Sequence, residues 1–274
     1  MTMNKSSRFV FSCLCFGFAF LYLPILVLIL YSFHQSAISS VWGGFSLRWY
    51  TALFNNDQII ESALLSLKIA ATSATFATIL GTMAGLALTQ MGRYRGRFIF
   101  TGLIAAPLVM PEVITGLSLL LMFVSLQELI GWPMSRGAGT ITIAHITFSM
   151  AYVAVIVQSR LSSMDQSLQE AAMDLGGRPM QVAFDITLPL IAPSMLSGWL
   201  LAFTLSLDDL VIASFTSGAG ASTLPMVIFS KIKLGVTPDV NALATLIIGT
   251  VSIGIVIASW MMFRQAKRHS IIND

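Results

Sequence analysis

Long windows almost empty of charge constrain this chain more than any other feature. Phe9–Phe33, Ile69–Gly92, Phe98–Gln127, Gly137–Ser159, Ile186–Ser230 and Val240–Phe263 are each long enough for about 20 residues of helix, the length that crosses roughly 30 Å of hydrocarbon. Three of them hold no formal charge, the third holds Glu112, the fourth holds His145, and the fifth holds Asp208 and Asp209. Uninterrupted apolarity over such lengths favours helices over barrel strands, which are shorter and alternate. With 56% hydrophobic and 10% charged residues and a mean hydropathy of +0.83, a soluble domain is excluded. The expected fold is an all-α integral membrane protein with six transmembrane helices.

The basic residues separate the spans and so report topology. Ten Lys and Arg fall on one side: Lys5, Arg8, Arg93, Arg95, Arg97, Arg160, Arg178, Arg264, Lys267 and Arg268. Four, Arg48, Arg136, Lys231 and Lys233, fall on the other. The positive-inside rule places both termini in the cytoplasm. The net charge of +3 comes from dispersed residues, so it marks no nucleic-acid surface. The first window is too long for a signal peptide and lacks a cleavage pattern, so it reads as an uncleaved anchor. Cys13 and Cys15 read as helix-surface residues and His145 as a helix-contact residue; no metal site and no cofactor is expected.

Smaller features place the connections. In "GGFSLRWYTALF", Leu47, Tyr50, Leu53 and Phe54 share a helical face, as a short interfacial helix would need. Gly81 and Gly85 lie one turn apart in the second span, a pattern that lets two helices approach closely. "SGAGAS", opening the fifth connection, reads as a flexible link that either adapts to a partner or merely connects.

The stretch Arg160–Pro189 is far longer than a membrane hairpin requires. Leu168, Ala171, Ala172 and Leu175 recur at helical spacing, Ser167 and Glu170 fit a capping box, and Gly176 and Gly177 provide a stop. Pro179 suits the start of a second piece ending before Pro189. The result is an elbow at about 163–189, with a first arm about 15 Å long. Its polar face carries Asp165, Glu170 and Asp174, which favours a protein groove over an anionic membrane surface.

Here the chain resembles a known family. Glu170, Ala171 and Ala172, then Gly176, then Ile186, Leu188 and Pro189 stand at the signature spacing of the EAA motif of type I ABC importer permeases. The resemblance implies that the elbow is a coupling helix docking on a separate ATPase, and that residues 61–261 form the transmembrane domain. Residues 1–60 then supply the first helix and the interfacial segment, and 262–274 a cytoplasmic tail. No lysine follows a glycine, so the chain lacks a phosphate-binding G-x-x-x-x-G-K-[ST] loop and is not itself expected to be an enzyme.

The acids address the substrate. Counting helix rise from Phe98 and from Pro193 puts Glu112 and Asp208 at similar depth, about 21 and 22 Å in. Charges there are expensive and usually functional, so Glu112, Asp208 and Asp209 are candidate pathway residues. Neighbours on one helix diverge by about 100°, so Asp208 and Asp209 are not expected to face one pore together, and Lys68 or Arg136 is available to pair with one acid. "FTLSLDDLVIASF", "TLPMVIFSKIKLGVTPDVNALAT" and "HITFSMAYV" resemble the second permease subunit of spermidine and putrescine importers. That likeness implies import of polyamines across a bacterial inner membrane with a sister permease, an ABC ATPase dimer and a periplasmic polyamine-binding protein. An importer of iron, sulfate or an amino acid, or an ATP-independent cation transporter, remains the alternative.

Overall fold

A computed structural model of the chain describes residues 5–36, 43–92, 94–165, 167–235, 238–250 and 252–253. The described secondary structure is helical apart from a single bridge between His34 and Phe45. Among the described residues five helical stretches are long and apolar enough to cross a membrane: Phe9–Ser32, Asp57–Gln90, Glu112–Ile130, Ala138–Ser162 and Pro179–Asp208. The expected sixth window, Val240–Phe263, and the tail lie largely outside the described residues, although 238–250 is helical.

The chain divides into two compact units. One comprises the N-terminal residues to Ile59 and those from Ile228 onward. Helix α1 (Lys5–Ser32) shows almost its whole surface, including Cys13 and Cys15, as an apolar helix facing lipid or another chain would. The segment after it is tied down by hydrogen bonds. Trp49 Nε1 donates to His34 O (2.7 Å), and the Ser32 and Tyr50 hydroxyls meet at 2.7 Å. The short helix expected there is α2 (Arg48–Phe54), which buries Leu53 and leaves Leu47 and Phe54 exposed.

The second unit, Ile60–Val227, is built on α3 (Asp57–Gln90), α4 (Arg97–Val109), α5 (Glu112–Ile130) and α6 (Ala138–Ser162). It continues through α7 (Ser167–Asp174), α8 (Pro179–Val182), α9 (Leu188–Asp208) and α10 (Val211–Thr216) toward α11 (Leu224–Leu234). Helix α6 is the hub. Over its most apolar window 56% is buried, against 17% for the window of α5. Small residues make that possible. A Cβ on Gly81 of α3 would stand 2.7 Å from the Met150 carbonyl and from Val153 of α6; one on Gly85 would come within 3.0 Å of Val157. The two glycines thus form the close α3–α6 contact expected from their spacing. Ala74 and Ala77 of α3, Val153 and Val157 of α6, and Ile191 and Ala202 of α9 close a common core.

Two expected spans are broken. The third splits into α4 and α5 at Met110 and Pro111, because Pro111 supplies no N–H and holds its predecessor extended (Met110 ψ 136°). The fifth ends at Asp208, where Asp209 turns extended (φ −66°, ψ 125°) before α10 begins. The "SGAGAS" connection is also firmer than its composition suggests. Ala221 is buried, the Leu224 N–H donates to Ser66 Oγ (2.7 Å), and Thr140 Oγ1 donates to Thr216 O (2.7 Å).

Candidate functional site

The two helix breaks meet at one place. Pro107, Met110, Pro111 and Glu112 from the first, and Asp208, Asp209 and Leu210 from the second, line a cavity of about 510 Å3 together with Phe148 and Tyr152 of α6. Close packing brings the breaks together. Gly116 of α5 lies against α10, where a Cβ would stand 2.7 Å from the Phe215 ring, and Leu119 and Phe123 pack with Ile212 and Ala144. Breaking a membrane helix frees backbone groups that persist only against protein or a water-filled space, so paired breaks beside acids mark a lined cavity.

The three acids do not share one environment. Glu112 and Asp208 are exposed toward the cavity, and among the described residues no cation lies within ion-pair distance of either. Asp209 is buried and fully engaged. Its Oδ1 accepts from the Ile212 N–H (3.3 Å), and its Oδ2 accepts from the Ala213 N–H (2.7 Å) and meets His145 Nε2 at 3.1 Å. The expected pairing with Lys68 or Arg136 is therefore replaced by His145, and Arg136 donates instead to Phe215 O. The reason is the helix end. Leaving the helix at Asp209 turns that carboxylate toward α6, an orientation that counting along a continuous helix does not anticipate. Both aspartates border the cavity, but only the Asp208 carboxylate is open to it, in keeping with the expectation that the two would not face one pore together.

His145 joins a buried chain of polar groups. Ser73 Oγ of α3 donates to Ser206 Oγ of α9 (3.0 Å), which lies 2.6 Å from His145 Nδ1. The His145 and Phe148 rings meet in a T-shaped contact (centroids 5.6 Å apart), and Phe148 lines the cavity while the histidine does not. His145 is thus the helix-contact residue expected from its sequence setting. Phe148 and Tyr152 were not singled out in the sequence. Their signal is an i, i+4 aromatic pair on the face of α6 that ends in His145.

The elbow is a second candidate site. Helix α7 carries Glu170, Ala171 and Ala172 and buries none of its residues. Its end forms a complete Schellman turn. The Gly176 N–H donates to Met173 O (2.9 Å), the Gly177 N–H donates to Ala172 O (3.0 Å), and Gly176 sits at φ +90°. At the other end the Ser167 N–H donates to Asp165 Oδ1 (3.0 Å), so Asp165 caps the helix where a Ser167–Glu170 box was expected. The second arm also differs from expectation. After α8 a π turn, Ala183–Thr187, carries the chain directly into α9, past Ile186, Leu188 and Pro189. In the wide turn the Leu188 N–H reaches back to Ala183 O, which absorbs the donor missing at Pro189 without ending the helix. Gln169 Nε2 donates to the buried Thr187 Oγ1 (3.1 Å) and holds α7 against this turn. Leu168, Met173, Leu175, Met180 and Phe184 remain exposed around it.

Residues 77–270 match the family model described as "Binding-protein-dependent transport system inner membrane component". The chain is 57% identical over 241 residues to the "Putrescine transport system permease protein PotI" of Escherichia coli (strain K12), covering 88% of this chain and 86% of that protein. It is 42% identical over 238 residues to the "Spermidine/putrescine transport system permease protein PotC" of Haemophilus influenzae, covering 87% and 90%. In structure it resembles a chain from a bacterial ABC transporter involved in the import of the acidic polysaccharide alginate. The TM-score is 0.72 at 16% identity, over 95% of this chain and 99% of that one. A second crystal structure, of a bacterial alginate ABC transporter in complex with its alginate pentasaccharide-bound periplasmic protein, gives a TM-score of 0.70 at 17% identity, over 94% and 93%. These structural likenesses establish the importer-permease fold, and the relatives are transport subunits and not enzymes. The chain belongs to the inner membrane components of binding-protein-dependent transport systems, within the spermidine/putrescine ABC permease family.

Proposed function

We propose that this permease forms half of the pathway of an ATP-driven polyamine importer, and that Glu112 and Asp208 receive the ammonium groups of putrescine or spermidine. The observation that carries this reading is the cavity. Two carboxylates with no ion-pair partner among the described residues stand beside the aromatic rings of Phe148 and Tyr152, and carboxylates and π faces together suit alkylammonium ions. Asp209 completes the wall but spends its oxygens on His145 and α10, so it shapes the pathway more than it meets the cargo. The names of the relatives support the amine as substrate.

The rest of the assembly follows the same reading. Six spans, with both termini cytoplasmic, put the elbow inside the cell. There Glu170, Ala171, Ala172 and Gly176 engage a partner ATPase, while Ile186, Leu188 and Pro189 carry its movement into α9. A sister permease supplies the second wall, and a periplasmic polyamine-binding protein delivers the amine. The test is uptake of labelled putrescine, spermidine, iron, sulfate and amino acids by cells carrying or lacking the gene, with and without ATP depletion. ATP-dependent uptake confined to the amines is expected, and it should fall roughly ten- to a hundredfold in Asp208→Asn at unchanged abundance, as for a lost charged contact. Gene-dependent import of one of the other solutes, or amine uptake that survives ATP depletion, overturns the reading.

A further inference from the structure

We propose that His145 is a positioning residue for the cavity: acting through Asp209, it fixes the end of α9 so that Asp208 projects from the wall at a set place. The inference rests on the pathway reading for its meaning in transport, but its geometric content stands apart from it.

His145 is fully buried and does not line the cavity, whereas its ring neighbour Phe148 does, so its influence on the cavity is indirect. Its two ring nitrogens are both used. Asp209 Oδ2 accepts, so Nε2 carries the proton; Nδ1 is then the acceptor for the Ser206 hydroxyl, and Ser206 Oγ in turn accepts from Ser73. Each donor in this chain points toward the Asp209 carboxylate, and such chains polarise one another. Four elements meet in it: α3 through Ser73, α6 through His145, α9 through Ser206, and α10 through the Ile212 and Ala213 N–H groups. Asp208 is the last residue of α9 and the covalent neighbour of the anchored Asp209. With Asp209 held on three sides, the peptide joining the aspartates has little freedom, and Asp208 is left to face the cavity. Without His145 one lone pair of a buried carboxylate loses its donor, and relief comes from rotation of Asp209 toward the cavity water, which moves Asp208 with it.

The test reads position and transport separately, in the permease assembled with its partner subunits in membrane vesicles. In a chain carrying Cys13→Ser and Cys15→Ser, Asp208→Cys is labelled with a trimethylammonium-bearing methanethiosulfonate, with His145 intact or changed to Leu. Glu112→Cys, at the start of α5, serves as the reference site. The expected result is a labelling rate at position 208 that changes about tenfold in His145→Leu while position 112 is unaffected, the factor that 1.4 kcal/mol of lost anchoring produces. In the otherwise unaltered chain, His145→Leu should cut amine uptake by a similar factor at normal abundance. His145→Gln should restore most of it, because its amide keeps a donor for Asp209 and an acceptor for Ser206.

Equal changes at positions 208 and 112, or no change at 208, overturn the proposal. Should His145→Leu fail to accumulate, Ser206→Ala decides by the same labelling measurement, and an unchanged rate at 208 again overturns it. Normal uptake by Asp208→Asn, with labelling at 208 still dependent on His145, sinks the pathway reading and leaves the positioning role standing.

Discussion

The cavity wall around Asp209 and the elbow around Gly176 are both places where a helix stops, and they are stopped by different means. At Asp209 two local N–H groups, of Ile212 and Ala213, are joined by distant residues: His145, 64 positions away, and Ser73, bonded to Ser206 across 133. At Gly176 the stop is made within six residues by the Schellman bonds of Ala172–Gly177, and the arm before it buries nothing. One stop needs tertiary structure in addition to local bonds, and the other is made by local conformation alone. On the proposed reading, the wall presents a charge at a fixed place, which suits the first kind, and the arm seats in a partner ATPase, which suits a shape set before the partner arrives.

The largest effect should come from striking the wall. Asp209→Ala leaves the Ile212 and Ala213 N–H groups and His145 without their acceptor in a buried site, a loss of about 3–5 kcal/mol by analogy with broken buried pairs. Membrane abundance should collapse, as quantitative immunoblotting will show. Normal abundance would mean that the wall is not held by this network.

A strike at the elbow should separate folding from work. Gly176→Val forces a β-branched residue to φ +90°, which costs roughly 1–2 kcal/mol and changes the direction of the arm. Insertion and abundance should stay normal while uptake and transport-linked ATP hydrolysis disappear. A coupled transporter with this change would remove the turn from the mechanism.

A smaller effect is expected at a side-chain bond that ties the arm to the π turn. Gln169→Ala removes the donor to Thr187 and, at about 1 kcal/mol, should lower coupled ATP hydrolysis a few-fold without affecting abundance. An effect as large as that of Gly176→Val would show that the elbow depends on tertiary support after all.

The smallest concerns Asp165. The Ser167 backbone N–H, and secondarily its hydroxyl, hold this carboxyl below its usual range. A depressed pKa means that the cap is complete above the unfolded value of 3.8 and is lost as pH falls through the lower folded value. Protection of the Ser167 amide, corrected for intrinsic exchange rate, should be constant from neutral pH down to about pH 4 and decline below it. Asp165→Asn, which still accepts, should remove that decline, and a pH profile identical to wild type would assign the cap elsewhere.

The first arm of the elbow and its glycine stop were legible from the sequence because their determinants are local. Helical spacing, a glycine able to take a positive φ, and a proline at a helix start act within a few residues, and the motif from Glu170 to Pro189 sits on them. Where local reading failed, longer contacts intervened. The Thr187–Gln169 bond and the π turn carry the second arm into α9 where Pro189 suggested an end. The chain's membrane character, the candidate acids and the close approach at Gly81 were also determined by composition and spacing alone, since burying charge in hydrocarbon is costly and glycine leaves room for a neighbour. Which acid stays open to the cavity was decided only by the tertiary structure. Asp208 and Asp209 are the same residue type in adjacent positions, and no local rule ranks them. What separates them is the break, which brings the Ile212 and Ala213 N–H groups onto Asp209, and a histidine on another helix, because a buried carboxylate settles where donors converge.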